Sequence, residues 1–110
     1  MSTPRIYNAA VDMVDRHVKE GRGDKAAFID PGRLLSYQGL ASETSRMANL
    51  MKALGFARET RIALLLLDTV DFPIAFWGAI KAGVVPVALN TLLTADQYAY
   101  ILEDARARAI

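Results

Sequence analysis

An almost wholly apolar stretch, residues 73–90, constrains the fold of this chain more than any other part of the sequence. It predicts an apolar helix over 72–82, a glycine that ends the helix and a strand over 84–89, with Lys81 as its only charged residue. A helix that is apolar on all sides must be covered on all sides. A chain of 110 residues offers little material for that cover. Part of the helix is therefore expected to lie in an exposed apolar patch, a feature that usually marks an interface.

The amino-acid composition is more apolar than that of an average soluble domain. With glycine counted and tyrosine left out, about 55% of the residues are apolar, against about 45–50% in such domains. The excess does not form a membrane span, because the longest apolar run without glycine, 62–67, has six residues and a bilayer requires about 20. We therefore expect more apolar surface than the chain can bury, and no membrane partner.

Charge and cysteine content exclude several classes of protein and site. The net charge of +1 provides no attraction to nucleic acid, and the sequence has no basic tract that would bind nucleic acid. The absence of cysteine excludes disulfides, thiolate metal sites and cysteine nucleophiles. The N-terminus lacks the charged and then apolar pattern of a signal peptide. We expect a soluble protein of the cytoplasm that does not bind nucleic acid.

Hydrophobic periodicity and turn residues predict an alternation of helices and strands. The predicted helices cover 7–19, 37–54 and 72–82, with a fourth opened by the capping box of Thr94 and Gln97; the predicted strands cover 26–29, 33–36, 61–67 and 84–89. Residues 107–110 have the composition of a further strand, interrupted at its start. Strands that alternate with helices form parallel sheets covered by helices. The predicted fold class is α/β, with a mostly parallel sheet and an N-terminal hairpin.

Local signals add details to this prediction. Gly32, in the turn of the hairpin, is expected to adopt the positive φ of a type II turn, and Ser36 is expected to cap the second helix. Pro86 has no N–H to donate, which places its strand at a sheet edge or at a bulge. The predicted buried stripes are Tyr7, Val11, Val14 and Val18 in the first helix, Leu40, Thr44, Met47, Met51 and Leu54 in the second, and Tyr98, Ile101, Leu102 and Ala105 in the last.

Two aspartates are the best candidates for a ligand site. Asp68 and Asp71 follow the strand over 61–67, and in open α/β sheets ligands bind at the carboxyl ends of the strands. Two carboxylates at this position could hold a metal ion or a ribose. We favour the alternative that one of them caps the following helix by accepting hydrogen bonds from its free backbone amides.

Other chemically interesting residues have structural explanations that we also favour. His17 is the only histidine and, without a partner at a telling spacing, is expected at the surface or its boundary. Lys81 is expected to extend into solvent from a helix end that favours positive charge. Phe72, Phe76 and Trp77 could form an aromatic ligand wall, but their helical spacing is more typical of a core. The scattered arginines, for which we expect solvated positions, are Arg58, Arg61, Arg106 and Arg108.

The sequence has no phosphate-binding motif. Its seven glycines form neither G-x-G-x-x-G nor a Walker loop. A nucleophilic triad cannot be assembled from it either. We therefore predict no catalytic, cofactor-binding or metal-binding residue within residues 1–110.

Several segments, in order, carry a resemblance to a known family. Residues 24–29 look like the opening strand of the adenylate-forming acyl-CoA synthetases, the AMP-binding superfamily, and residues 35–40 resemble its Thr-Tyr-x-Glu-Leu segment, with Gly39 in place of the glutamate. Residues 79–83, followed by 85–87 and Asn90, are similar to its early Lys-Ala-Gly motif. The resemblance runs from about residue 7 to residue 110. Within the family, segments 67–73, 90–94 and 98–104 look most like benzoate–CoA ligases and their hydroxybenzoate relatives.

The resemblance implies a function for a longer parent protein. Enzymes of this kind join a carboxylate to CoA through an acyl-adenylate, with ATP, Mg²⁺ and CoA, and the acid implied here is an aromatic carboxylate such as benzoate. The family's phosphate loop, ribose-binding aspartate, hinge and catalytic lysine lie later in the chain, so no site residue is carried over. Residues 1–110 would form the N-terminal part of the large domain, inactive alone, with the remainder of the parent chain as partner.

Two other hypotheses remain open from the residues alone. The chain could be a stand-alone small α/β interaction module that binds a partner through its apolar helix. It could also be a small nucleotide-binding domain, a hypothesis that only Asp68 and Asp71 support. The sequence by itself does not decide whether this chain is an enzyme.

Overall fold

The computed structural model describes residues 7–110. Within this range four helices and four strands alternate much as predicted. Helix α1 is a π-helix over Val11–Asp15 that continues as an α-helix over Arg16–Lys19; the remaining elements are β1 (Ala26–Ile29), β2 (Leu34–Ser36), α2 (Tyr37–Ala53), β3 (Arg61–Leu64), α3 (Asp71–Lys81), β4 (Val85–Ala88) and α4 (Ala95–Ala105). The α/β fold class is confirmed.

Strands β1 and β2 form the predicted antiparallel hairpin. Ile29 pairs with Leu34 next to the turn. The prediction of a type II turn is wrong, because Gly32 is not among the glycines with positive φ. The Asp30 side chain builds the turn instead: its Oδ1 accepts hydrogen bonds from the N–H of Gly32 at 2.9 Å and of Arg33 at 2.7 Å. A side-chain acceptor of this kind removes the need for a left-handed glycine.

Strands β3 and β4 are parallel and are connected through α3. Their register pairs Arg61 with Val85 and Leu64 with Ala88. Val85 and Leu89 donate their N–H groups towards β3, so Pro86 falls at an alternate position that faces away from β3. In the described part of the chain β4 pairs with β3 alone, which agrees with the predicted edge position of Pro86.

The end of the chain adds to the other side of β3. Ile62 forms a parallel bridge with Ala109, and the Ala109 carbonyl accepts a hydrogen bond from the Ala63 N–H at 2.9 Å. This single bridge matches the predicted start of a strand over 107–110. Strand β3 is shorter than the predicted 61–67, because its pairing with β4 ends at Leu64 and the chain then leaves the sheet; Leu67 is 69% exposed.

Helix α1 buries only part of the predicted face. Val14 and Ala10 are buried, whereas Val11 is exposed and Tyr7 is 69% exposed. The backbone N–H of Arg16 bonds to the carbonyl of Val11, five residues earlier. A π-helix has more residues per turn than an α-helix, so a stripe at α-helical spacing does not stay on one face.

Helices α2 and α3 pack closely on each other and on β3. Ser36 caps α2 as predicted, its Oγ accepting from the Gly39 N–H at 3.1 Å. The predicted stripe is correct for Leu40, Thr44 and Met51, while Leu54 lies beyond the end of the helix and is 61% exposed. An added Cβ at Gly78 of α3 would lie 2.6 Å from the Met47 Cβ and 3.2 Å from the Thr44 carbonyl oxygen. Gly78 therefore permits the close approach of the two helices.

The apolar helix α3 is covered on two sides but not on all. Two small clusters of buried residues surround it: Met51, Ile62, Leu64, Ala75, Ala79 and Val84 in one, and Val14, Leu40 and Ile74 in the other. Phe72, Phe76 and Trp77 pack at their edges and stay half-buried. Apart from Asp71, no residue of α3 is exposed, so the prediction of an exposed apolar patch on this helix is wrong; its large apolar side chains are half covered instead.

Helix α4 begins with the predicted capping box and lies loosely on the rest. The Thr94 Oγ1 accepts from the Gln97 N–H at 3.3 Å, and the Gln97 Oε1 accepts from the Thr94 N–H at 3.0 Å. None of its residues is buried. The least exposed positions are the predicted Tyr98, Ile101, Leu102 and Ala105. The predicted face is correct, but it is only half covered.

Candidate functional site

The loops that follow β3 and β4 meet at the carboxyl edge of the sheet, where ligands bind in open α/β folds. A groove of about 440 Å³ lies between them, with Leu67, Asp68 and Phe72 on one side and Asn90 and Thr91 on the other. It combines an aromatic ring with a carboxylate and an amide. We call it the edge groove.

A smaller groove of about 230 Å³ lies on the far side of the same loop, against the hairpin. Phe28 and Asp30 of the hairpin line it together with Asp68, Val70 and Phe72. We call it the hairpin groove. Because Asp68 and Phe72 line both spaces, the segment from Asp68 to Phe72 is the wall between them.

The start of α3 is capped by Asp30, a residue of the hairpin turn. The Asp30 Oδ2 accepts a hydrogen bond from the Val70 N–H at 2.9 Å, while the side chain of the N-cap residue itself makes no capping bond. The prediction that Asp68 or Asp71 caps this helix is therefore wrong. Nothing in the local sequence of Asp30 indicates a partner 40 residues away.

Asp71 is held by an arginine of the hairpin. Arg33 Nη1 donates to the Asp71 Oδ1 at 3.1 Å, and Nη2 lies 3.1 Å from Oδ2. This two-pronged geometry is the strongest that arginine and carboxylate form. The hydrogen bond to Asp71 raises the pKa of Arg33 further above its ordinary value. Asp68 is exposed, and residues 7–110 contain no group of three or more histidine, aspartate or glutamate side chains that could hold a metal ion.

Hydrogen bonding keeps the Asp30 carboxylate ionised. The bond from the Val70 amide lowers the pKa of Asp30 most, and the Gly32 and Arg33 amides and the Arg33 charge lower it further, against the opposing effect of burial. Its side chain is 8% exposed. A carboxylate that accepts several backbone N–H groups is favoured in its charged form.

Replacing Asp30 by asparagine is expected to lower stability in a pH-dependent way. Because the folded pKa of Asp30 is depressed, its contribution is present above the ordinary value of about 3.9 and is lost as the pH falls through the folded pKa. The melting temperature of Asp30→Asn should lie below that of the wild type at pH 7, and the gap should narrow as the pH falls below about 4. Asp24→Asn, at an exposed residue of the same segment, is the control. A gap that stays the same from pH 7 to below about pH 4 would contradict the assignment.

The prediction that Lys81 extends into solvent is wrong. Its Nζ lies 2.8 Å from the Asp15 Oδ2 and 2.7 Å from the Ser45 Oγ, and the Lys81 and Asp15 side chains are 24% and 22% exposed. Asp15 is the last residue of the π-helical part of α1. Asn8 supports the same junction by donating from Nδ2 to the carbonyls of Ile80 and Lys81 at 3.0 and 3.2 Å.

His17 and the arginines have the structural positions that we favoured, whereas Phe72, expected in the core, lines both grooves. His17 is half-buried, its ring 4.4 Å from that of Tyr37 and its Nδ1 accepting from the Arg22 Nε at 3.0 Å. Phe76 meets Trp77 edge to face at 5.3 Å, although these rings lie at the rim of the core. The arginines at 58, 61, 106 and 108 are exposed.

The edge groove has recognition groups but, among the described residues, no reactive constellation. Asn90 already uses its Oδ1 to accept from the Leu92 N–H at 2.9 Å, and its carbonyl accepts from the Tyr98 hydroxyl at 2.6 Å. These bonds order the loop that leads into α4. The groove can therefore hold part of a ligand, while the absence of catalytic residues stays a prediction.

No helix between residues 7 and 110 has the length and apolarity that crossing a membrane requires.

Comparison with known proteins identifies relatives along almost the whole chain. The sequence profile of the AMP-binding enzyme family matches residues 14–110. A 4-hydroxybenzoate–CoA/benzoate–CoA ligase of Rhodopseudomonas palustris is 63% identical over 96% of this chain and 20% of its own length. A benzoate–CoA ligase of Thauera aromatica is 43% identical over the same shares.

A solved structure shares the fold as well as the sequence. The benzoate CoA ligase of Burkholderia xenovorans superposes with a TM-score of 0.88 at 42% identity, over 94% of this chain and 21% of that one. This chain thus spans about a fifth of the length of the relatives it matches. The profile match and the sequence identity together show that the chain belongs to the AMP-binding enzyme family.

Proposed function

We propose that residues 1–110 are the N-terminal part of the large domain of an ATP-dependent aromatic carboxylate–CoA ligase. The observation that carries this proposal is the 63% identity to a 4-hydroxybenzoate–CoA/benzoate–CoA ligase over nearly the whole chain. The open parallel sheet and the half-covered helices α3 and α4 support it, since a larger domain would supply the missing cover. The cytoplasm is the location we propose for it.

The reaction of the full-length protein would have two steps. The carboxylate of benzoate or a hydroxybenzoate attacks the α-phosphorus of ATP, giving an acyl-adenylate and pyrophosphate. The CoA thiol then attacks the acyl carbon and AMP leaves, so that benzoyl-CoA, AMP and pyrophosphate are the products. ATP, Mg²⁺ and CoA belong to that full-length protein.

The described residues do not fit the role of an ATP or Mg²⁺ site. They offer no glycine-rich phosphate loop and no cluster of three metal-ligating side chains in the range 7–110. We therefore derive no step through Mg²⁺ here. The task we propose for this segment is structural, as a βα layer whose apolar faces receive the remainder of the parent chain.

A ligase assay on two proteins tests this proposal. The full-length protein that contains this segment should form AMP and an aromatic acyl-CoA from ATP, CoA and benzoate or 4-hydroxybenzoate. The 110-residue chain should show no ATP–pyrophosphate exchange with the same acids. Exchange by the 110-residue chain would overturn the assignment as an inactive part, and a full-length protein that accepts only aliphatic acids would overturn the aromatic substrate class.

The alternative of a stand-alone interaction module is not favoured. The match to the ligases runs through the whole described fold rather than through the apolar helix alone. A chain of that kind would be a well-defined monomer or symmetric dimer by analytical ultracentrifugation. Strong binding of an apolar dye by the isolated 110-residue chain is the result that we expect instead, because its apolar surface is only partly covered.

A further inference from the structure

We propose that Asp30 is a positioning residue that, together with Arg33, clamps the wall between the edge groove and the hairpin groove. The residues that would be clamped are 68–72, which connect β3 to the first turn of α3. The attachment points on the hairpin and on this wall, Asp30 and Val70, are 40 residues apart in sequence. Side chains of the hairpin join the two segments in the folded chain. The consequence for activity rests on the proposed function.

The clamp has two points of attachment on consecutive residues. The Asp30 Oδ2 binds the backbone N–H of Val70, and the Arg33 guanidinium binds the carboxylate of Asp71 through both of its oxygens. Arg33 also lies 3.7 Å from the Asp30 Oδ2. The charged groups therefore alternate in sign, with Arg33 between the two carboxylates.

The clamp is rigid on the hairpin side. The Asp30 Oδ1 accepts from the Gly32 and Arg33 amides, so the same carboxylate that holds Val70 also closes the turn that carries Arg33. Asp30 is nearly buried, with 8% of its side chain exposed. A displacement of the turn would thus break the attachment at Val70, and the reverse also holds.

The clamped wall carries the groups that line both grooves. Asp68 and Phe72 flank residues 69–71, which include both attachment points, and each lines the edge groove and the hairpin groove. Thr69 contributes only local bonds: its N–H donates to the Leu67 carbonyl at 2.8 Å, its carbonyl accepts from the Phe72 N–H at 3.1 Å, and its Oγ1 accepts from the Asp71 N–H at 3.3 Å. The hairpin bonds are the polar attachments that tie this wall to a distant part of the chain.

Graded substitutions in the full-length protein test the clamp. Asp30→Asn keeps one acceptor oxygen and loses the other, Asp30→Ala loses both, and Arg33→Gln loses the guanidinium contacts with Asp71 and with the Asp30 carboxylate. Hydrogen exchange, followed by mass spectrometry, should become at least about fivefold faster in peptides covering 66–72 of Asp30→Ala, with smaller increases for Asp30→Asn and Arg33→Gln. Peptides from α2 should be unchanged in all three, which separates a local effect from general destabilisation. Asp24→Asn is the matched control and should exchange like the wild type.

Steady-state kinetics of the same variants test the consequence for substrate binding. In Asp30→Asn the KM for at least one of benzoate, ATP and CoA should rise about threefold or more, with kcat within about twofold of the wild type. Unchanged exchange over 66–72 would overturn the clamp, and faster exchange with all three KM values unchanged would overturn its positioning role. If the full-length protein has no ligase activity, the proposed function fails while the exchange measurement still decides the clamp.

Discussion

Replacing Gly78 by alanine is expected to destabilise the chain by about 3 kcal/mol, the upper part of the range for overpacked sites. The added Cβ would lie 2.6 Å from the Met47 Cβ and 3.2 Å from the Thr44 carbonyl oxygen. Neither contact is relieved by a side-chain rotation, since one involves the root of a side chain and the other the backbone. The helices α2 and α3 would have to separate. Their contact forms the centre of both core clusters, so the cost would spread through the structure.

Urea unfolding of the 110-residue chain, followed by the fluorescence of Trp77, measures this loss. Trp77 is the only tryptophan and is next to the substituted residue. Gly39→Ala is the matched control, because Gly39 also lies within a helix but its added Cβ would meet the end of the flexible Leu35 side chain at 3.1 Å. Helix propensity favours alanine there by up to about 1 kcal/mol. Equal unfolding midpoints for the two variants would show that the helices do not pack as closely as described.

The elements of this fold were predictable because each is specified by residues near one another in sequence. The Ser36 cap and the Thr94–Gln97 capping box join residues three positions apart. The parallel pairing of β3 with β4 follows from two short apolar strands on either side of a helix. The incomplete cover of α3 followed from its composition alone.

The contacts that shape the candidate site were not predictable in the same way. Asp30 binds Val70 and Lys81 binds Asp15, pairs separated by 40 and 66 residues. Local sequence offered each of these charged residues a sufficient alternative, a turn for Asp30 and a solvated helix end for Lys81. The π-helical start of α1 is a second reason, because a segment with more residues per turn changes which side chains of α1 face the other helices. Long-range partners of polar side chains depend on the packed fold, which hydrophobic periodicity does not encode.

Replacing Lys81 by methionine is expected to lower the stability of the chain by about 2 kcal/mol, because it leaves a partly buried carboxylate without its partner. The Lys81 ammonium joins three helices: it stands in the last turn of α3 and contacts Asp15 of α1 and Ser45 of α2. Both members of the ion pair are about three-quarters buried. An exposed pair would contribute at most about 1 kcal/mol, so the expected loss depends on this burial.

A double-mutant cycle separates the pair from the packing of the lysine stem. Asp15→Asn alone should destabilise the chain, and the combination with Lys81→Met should cost less than the sum of the two by about 1 kcal/mol or more. Lys52→Met is the control for loss of a positive charge from the end of a helix, since Lys52 is exposed in the last turn of α2. Strictly additive losses would mean that Lys81 stabilises the junction through its methylene groups and its bond to Ser45. In that case the Asp15 carboxylate would be stabilised by hydration, and the junction of α1, α2 and α3 would not depend on the ion pair.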